Sequence, residues 1–394
     1  MDITSQKTKL NTKEDKLMII MDLKIDNIML FKDFHINMSY PKKIVDSSIE
    51  DEFLTKRKNF RYKKVNILMG ANATGKTSLG KVMMHTFNLI SRGKTTAILD
   101  SVCHKDRSAT IQMDFVDYYD RLNRINIEVI PAVKDDAEAE LMICIRSVDI
   151  GVKDNYESCA KKMDLIPIVM TGDIETERAK VLPLGWMFGY SDDASNGRVS
   201  CQENDSYPLI LDYTLRALDP SIKSVEKLSE VKNAYVVRMQ NQDVIIQDGE
   251  VIKDNILSSG TKEGIRVAGM LSGICEGGYH FYYCDELFSY VHSDVEKAFL
   301  SVMISQLKGE QQLFFTTHNS DILDMQLPKH TFTFLKKDMY SKTPLKCVEA
   351  SKYLKRNTDS LRHAVENDLF SIAPNVELIY EIENIKYVGE DSGE

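Results

Sequence analysis

The sequence predicts an α/β fold, a parallel-sheet core with an antiparallel β layer added to it. Three observations predict it. The stretch ILMGANATGKTSLG, Ile67 to Gly80, passes from an apolar run through a glycine loop into apolar residues at helical spacing. From Leu257 onward, the helical patterns KEGIRVAGMLSGI and SDVEKAFLSVMISQLK alternate with the strand patterns YHFYYCDEL and QLFFTTHNS, as parallel strands joined by crossover helices do. Between these regions, ATIQMDFVDYY, RINIEVI and LMICIRSVDI read as antiparallel strands.

Taken in order, residues 1–20 are polar and charged and are expected to form a flexible arm. LKIDNIMLFKDFHINM alternates apolar and polar positions as two half-buried strands. KKVNILMG is a short strand stopped by glycine, and KTSLGKVMMHTFNLI is the helix that follows the loop. Residues 21–150 are therefore expected as one lobe, with the loop and the β layer. Residues 151–250 read as an inserted mixed α/β lid or partner-facing region. Within it, FGYSDDASNGRVSCQENDSYP is turn-rich, and SYPLILDYTLRALDP is a helix stopped by Pro220. KNAYVVRM and DVIIQDGEVI are expected as a hairpin whose turn contains Asp248 and Gly249. Residues 251–385 form the second half of the α/β core, and 386–394 an acidic tail.

Composition excludes several classes. Hydrophobic residues at 43% and charged residues at 28% suit a water-soluble globular chain, and no apolar run reaches the 18 or so residues of a membrane span. Seven cysteines are an odd set without a CxxC pair, so reduced thiols in a cytoplasmic protein are expected. A net charge of −9 argues against a coat for nucleic acid, whose affinity comes from neutralising phosphates. The exception is KRKNFRYKK, with Lys56, Arg57, Lys58, Arg61, Lys63 and Lys64 just ahead of the glycine loop. It reads either as a solvated approach to a strand or as a polyanion-facing patch.

Gly70, Gly75, Lys76 and Thr77 satisfy G-x-x-x-x-G-K-[ST], the phosphate-binding P-loop. Glycines let the backbone N–H groups turn inward around phosphates, and the next helix points its positive end at them. Gly70, Ala71, Asn72, Ala73, Thr74, Gly75, Lys76, Thr77 and Ser78 are thus the expected nucleotide cradle. Lys76 reaches the terminal phosphates, and the Thr77 hydroxyl holds Mg²⁺. YHFYYCDEL brings Asp285 and Glu286 to the carboxyl edge of the sheet. Asp285 suits a Mg²⁺ ligand and Glu286 the base that orients an attacking water, so ATP hydrolysis is favoured over phosphoryl transfer to another acceptor.

Three further stretches carry a family resemblance. ILSSGTKEG, with Ser258, Ser259, Gly260 and Thr261, resembles the LSGGQ signature of ABC-type ATPases, and Lys262 stands where the SMC/RecF branch often has a lysine. LFFTTHNSDIL places His318 where those ATPases keep a switch histidine. SYVHSD, Ser289 to Asp294, takes the place of the D-loop, with His292 matching the histidine of an LHP-like element and Ser293 replacing its proline. Together with KDFHI and EASKYLKRNTDSLRHAVENDLFSIAP, these elements resemble the SMC/RecF/OLD group, and most closely the OLD-like (AAA-15) ATPases of bacterial anti-phage systems. The PARIS-system ATPases are the branch named first, with the Septu ATPases beside them. The resemblance covers residues 20–90 and 250–375.

The resemblance implies an ABC-ATPase-type P-loop NTPase fold and ATP-sandwich pairing: Lys76 of one copy and Ser258 of the other enclose the nucleotide. It implies catalysis by Glu286 and His318 with Lys76, and a self-associating head-to-tail dimer. It also implies control of a separately encoded effector nuclease of Toprim or HNH type, released by a phage trigger protein. Between Gly75 and Ser258 there is no room for a long coiled-coil arm. The stretch after His318 is expected to be too short for an appended Toprim domain. The alternatives are a RecF-like repair ATPase that clamps DNA directly and the nucleotide-binding half of an importer. A Q-loop glutamine is expected between P-loop and signature; Gln112 is the candidate, and a strand-surface glutamine is its simpler reading.

Overall fold

The structure is a computed structural model that describes residues 17–44, 47–132, 138–190, 205–252, 257–338, 341–356, 358–373 and 376–384. Most of the expected arm, the acidic tail and residues 191–204 of the turn-rich stretch lie outside the described residues.

The strands follow the chain as β1 (Met18–Asp26), β2 (Phe34–Asn37), β3 (Phe53–Leu54), β4 (Arg57–Arg61) and β5 (Val65–Met69). Next come β6 (Ala109–Asp117), β7 (Arg121–Ile130), β8 (Glu140–Asp149) and β9 (Trp186–Tyr190). Strands β10 (Ile222–Lys227), β11 (Ala234–Met239), β12 (Asp243–Gln247) and β13 (Glu250–Val251) form a separate sheet in chain order. The last four are β14 (Phe281–Asp285), β15 (Gln312–Thr316), β16 (Phe332–Lys337) and β17 (Leu345–Glu349).

The central sheet has the order β17-β16-β5-β15-β14-β9, parallel throughout except for the antiparallel edge strand β17. Its middle strands β5, β14 and β15 are buried at every residue, as strands covered by helices on both faces must be. The expected antiparallel layer is the sheet β2-β1-β6-β7-β8. The helix Lys76–Arg92 lies between the two sheets. Its Leu79, Val82, Met83 and Phe87 share one core with Ile20, Met113 and Ile125 on one side and Tyr283 and Phe314 on the other. The opposite face of the central sheet is covered by the helices Ser259–Glu276 and Ser293–Gln306, through Val267, Ile274, Leu300 and Met303. This is the P-loop NTPase arrangement with an added β layer.

Several expectations needed correction. Trp186–Tyr190, inside the stretch read as an inserted region, is the edge strand of the central sheet and pairs in parallel with β14. The helix Tyr207–Leu218 does end before Pro220, at Asp219. The hairpin after it is β11–β12, whose turn is Gln240–Gln242; Asp248 and Gly249 make the next turn, between β12 and β13. In KRKNFRYKK, Lys63 and Lys64 turn inward and are buried. Lys63 Nζ donates to Glu349 at 2.8 Å and to the Asn37 carbonyl at 3.0 Å, and Lys64 Nζ to the Glu50 carbonyl at 2.9 Å. Two of the six cations therefore serve the interior. Among the described residues, no helix is long and apolar enough to cross a membrane.

Candidate active site

Adjacent parallel strands bring their carboxyl ends to one edge, and the order β5-β15-β14 sets the P-loop, the Thr-Thr-His turn and the Asp-Glu pair side by side there. Backbone requirements explain the glycines. Gly70 has φ +155°, and a Cβ on it would lie 2.5 Å from the Leu335 carbonyl oxygen and 2.8 Å from Thr74 Oγ1. Gly75 has φ +93°, and a Cβ on it would lie 3.1 Å from Leu30 Cδ1 and 3.4 Å from the Phe31 ring. Ala73 also takes a left-handed φ, +59°, an energetic cost concentrated in the loop itself. Thr74 Oγ1 closes the loop on the Ala71 carbonyl at 2.8 Å. Lys76, almost wholly buried, donates from Nζ to the carbonyls of Gly70 (3.0 Å) and Ala71 (3.3 Å). The loop and helix start thus have the inward-turned shape and positive dipole that suit a polyphosphate.

Asp285 ends β14, buried, and accepts from Thr316 Oγ1 at 2.8 Å. Burial pushes its pKa up, opposed by hydrogen bonding to the Thr77 and Thr316 hydroxyls and by the Lys76 charge. Asp285 and Thr77 are therefore a hard-oxygen pair of the kind Mg²⁺ takes. Glu286 follows with a left-handed φ of +51°, held by its N–H to Thr316 Oγ1 at 3.0 Å. That turn sends the carboxylate back across the edge. Its Oε1 lies 2.7 Å from His318 Nε2 and 3.5 Å from Lys76 Nζ. The hydrogen bond with His318 chiefly holds the Glu286 pKa below the usual carboxylate range, with the His318 and Lys76 charges adding. Lys76 is pulled down by burial and partly restored by Glu286 and Asp285.

The structure thus brings together Lys76, Thr77, Asp285, Glu286 and His318, with Ala71, Asn72, Ala73 and Ser78 in the same loop and helix start. It does not join the signature residues to them: among the described residues, no hydrogen bond or ion pair connects Ser258, Ser259, Gly260 or Thr261 to this cluster. Ser258 caps the helix Ser259–Glu276, accepting from the Thr261 N–H at 3.1 Å and meeting Thr261 Oγ1 at 2.7 Å. Ser258 and Ser259 are exposed at that helix start. Gly260 packs against the expected D-loop, since a Cβ there would lie 3.0 Å from the Tyr290 carbonyl oxygen. His292 caps the next helix, accepting at Nδ1 from the Asp294 N–H at 3.2 Å. Gln112 faces away from the cluster, in the β layer on β6 opposite Lys24, and accepts from Asn126 Nδ2 at 3.2 Å.

Two residues beyond those expected shape the cluster. Thr316 bridges Asp285 and the Glu286 N–H, and the doubled threonine in FFTTH was its only sequence signal. Glu296, buried on the helix Ser293–Gln306, accepts from Thr317 Oγ1 at 2.6 Å and Asn319 Nδ2 at 2.8 Å, the two neighbours of His318. Nothing in the sequence linked it to the histidine.

No family model matches the chain, and no curated protein matches it. Solved structures do resemble it. The Smc head bound to the C-winged helix domain of ScpA is 13% identical, with a TM-score of 0.49 over 85% of this chain and 99% of that one. The Smc head with an extended coiled coil bound to the C-terminal domain of ScpA, derived from Pyrococcus furiosus, is 13% identical, with a TM-score of 0.47 over 90% of this chain and 100% of that one. The recombination mediator protein RecF with ATPrS is 9% identical, with a TM-score of 0.40 over 86% of this chain and 100% of that one.

Proposed function

We propose that this chain is an ATPase whose nucleotide cycle opens and closes a head-to-tail pair of its own copies, and that the pair controls a separately encoded effector nuclease, as OLD-like ATPases of anti-phage systems do. The observation that carries the ATPase is the contact of one carboxylate oxygen of Glu286 with both His318 and Lys76 at the carboxyl edge of the central sheet. A strand-end carboxylate capped only by its own backbone would have no reason to adopt a left-handed turn and reach two strands across.

The P-loop backbone from Gly70 to Ser78 binds the phosphates, and Lys76 exchanges its loop carbonyls for the terminal phosphate oxygens. Thr77 and Asp285 would hold Mg²⁺, which when bound neutralises charge developing on the phosphates. Glu286, kept ionised, orients the attacking water and accepts its proton, and His318 fixes the carboxylate through Nε2. Ser258 and Ser259, exposed at a helix start, with Gly260 against the Ser289–Asp294 loop and buried Thr261 holding the Ser258 cap, face a nucleotide held by a second copy. The OLD-like reading, the Toprim- or HNH-type effector and the phage trigger rest on the motifs SSGTK, TTH and SYVHSD. Inward-turned Lys63 and Lys64 weaken the basic patch that a DNA clamp would use.

Glu286→Gln keeps the loop and the Mg²⁺ pair while removing the base, so it traps the closed state. The tagged variant, expressed with its native gene neighbours and purified with ATP and Mg²⁺, is expected to bring down a stoichiometric nuclease-like protein that is absent with Lys76→Ala. Bound DNA without a protein partner would replace this reading with the RecF-like clamp. Absence of ATP hydrolysis by the wild-type chain under every partner condition would remove the ATPase itself.

A further inference from the structure

Tyr190 ends the edge strand β9 directly opposite Asp285 in the parallel register. Residues two apart on a strand share a face. Tyr190 and Phe188 do so, their rings stacked at 6.1 Å and 8°. Phe188 in turn stacks on Tyr283 at 5.5 Å, and Tyr283 shares its face with Asp285. The Tyr283 hydroxyl donates to the Lys76 carbonyl at 2.6 Å. Tyr190 therefore stands on the face of the sheet where the P-loop helix begins, one strand beyond Asp285.

Its hydroxyl is the exception among neighbouring tyrosines. Tyr190 is only 7% exposed, yet its buried Oη has no hydrogen-bond partner among the described residues. Tyr282 and Tyr283, on the adjacent strand, both spend their hydroxyls on backbone carbonyls. A buried hydroxyl without a partner costs stability that phenylalanine at the same place would avoid. The residue is thus built for a partner that the protein interior does not provide.

We propose that Tyr190 is a binding residue of the nucleotide site, its hydroxyl hydrogen-bonding an oxygen that Mg²⁺-ATP brings beside Asp285. The oxygen is one of the phosphate's or of a water held at the metal. This rests on the ATPase reading above and assigns a residue that reading does not use.

The test compares Tyr190→Phe with wild type in two measurements: ATP binding by calorimetry, with Mg²⁺ and with EDTA, and the melting temperature of the nucleotide-free chain. Tyr190→Phe is expected to weaken Mg²⁺-ATP binding about fivefold; an equal loss in EDTA would make the partner a phosphate oxygen, and unchanged binding in EDTA would make it a water held at the metal. The nucleotide-free variant should melt at the wild-type temperature or above. Equal Mg²⁺-ATP affinity in variant and wild type would overturn the proposal. So would a lower melting temperature without nucleotide, because it would give the hydroxyl a structural partner. A wild-type chain that binds no ATP in either condition would instead remove the ATPase reading, a result distinct from both.

Discussion

Glu286 Oε1 meets His318 Nε2 at 2.7 Å, joining the ends of two neighbouring parallel strands that lie about 30 residues apart in the sequence. The contact fixes the carboxylate at the same oxygen that Lys76 approaches, so Glu286, His318 and Lys76 form one electrostatic unit. Such a unit responds to pH and to mutation in ways that isolated groups would not.

The pH dependence follows from the direction of the Glu286 shift. Its pKa is held down first by the hydrogen bond with His318, so the base form persists below the usual carboxylate range. Its contribution to stability is accordingly present above the ordinary carboxylate pKa and lost as pH falls through the lower folded value. In wild type, Glu286 protonation should not limit kcat/KM near pH 5. His318→Ala removes the leading cause and lets the pKa rise. The acid limb of its residual kcat/KM profile should therefore move to higher pH, which steady-state ATPase assays across pH 4.5–8 would detect. An unmoved limb in His318→Ala would separate the two residues functionally.

Glu296 reaches the histidine without touching it. Its carboxylate binds Thr317 and Asn319, and burial pushes its pKa up against those two hydrogen bonds. Glu296→Ala leaves both partners short of an acceptor, at a cost of about 2 kcal/mol in stability. It should also lower kcat roughly tenfold, the effect of misplacing one group in a positioned proton-transfer site, with ATP affinity unchanged. Thermal melting and ATPase kinetics together check this: a loss confined to stability would leave Glu296 with a structural role only.

The legibility of this chain divides along physical lines. The loop was readable because its backbone path requires glycine at Gly70, where a Cβ would lie 2.5 Å from the Leu335 carbonyl oxygen, and at Gly75, whose φ is +93°. The strand-ending Asp285-Glu286 and Thr-Thr-His were readable because parallel strands must be apolar until their carboxyl ends. Strand β9 was not. Gly189 interrupts it, since a Cβ there would lie 2.9 Å from Leu287 Cδ1, and a glycine inside so short a run suppresses the strand signal. The hairpin turn was displaced because Asp-Gly is the stronger local signal, while the actual β11–β12 turn, Gln240–Gln242, has no glycine. Lys63 and Lys64 resemble Lys58 in sequence; what turns them inward are acceptors at Glu349, Glu50 and Leu307, supplied only by the fold.

Gly80 sets how closely the P-loop helix lies on the strand that ends in Asp285. A Cβ at this position would lie 2.6 Å from Tyr283 Cε1. Gly80→Ala should push helix and strand apart, losing the Tyr283 hydroxyl to Lys76 carbonyl bond and about 1–3 kcal/mol in stability. Because Lys76 and Thr77 begin that helix, ATP affinity should fall as well. Melting and nucleotide titration of the same sample would show both; an intact affinity would mean that the loop is positioned independently of the helix.

Gln312 ties the two sheets together. It sits on β15 in the central sheet, fully buried, and its side chain reaches the irregular register of β1 between Ile20 and Asp22. There Oε1 accepts from the Ile20 N–H at 2.9 Å, while Nε2 donates to the Ile20 carbonyl and the Lys63 carbonyl, both at 3.1 Å. The amide thus holds both backbone groups of Ile20, beside the point where the β1–β6 register skips Met21. Gln312→Leu preserves the volume but leaves the Ile20 N–H and carbonyl buried without this partner, each worth about 1–3 kcal/mol. A loss of roughly 3 kcal/mol is expected by denaturant titration. Hydrogen exchange should locate it, with protection falling at Ile20 and the β1–β6 pairs around it rather than at the P-loop helix. A uniform loss of protection would instead show that the β layer and the central sheet unfold as one unit.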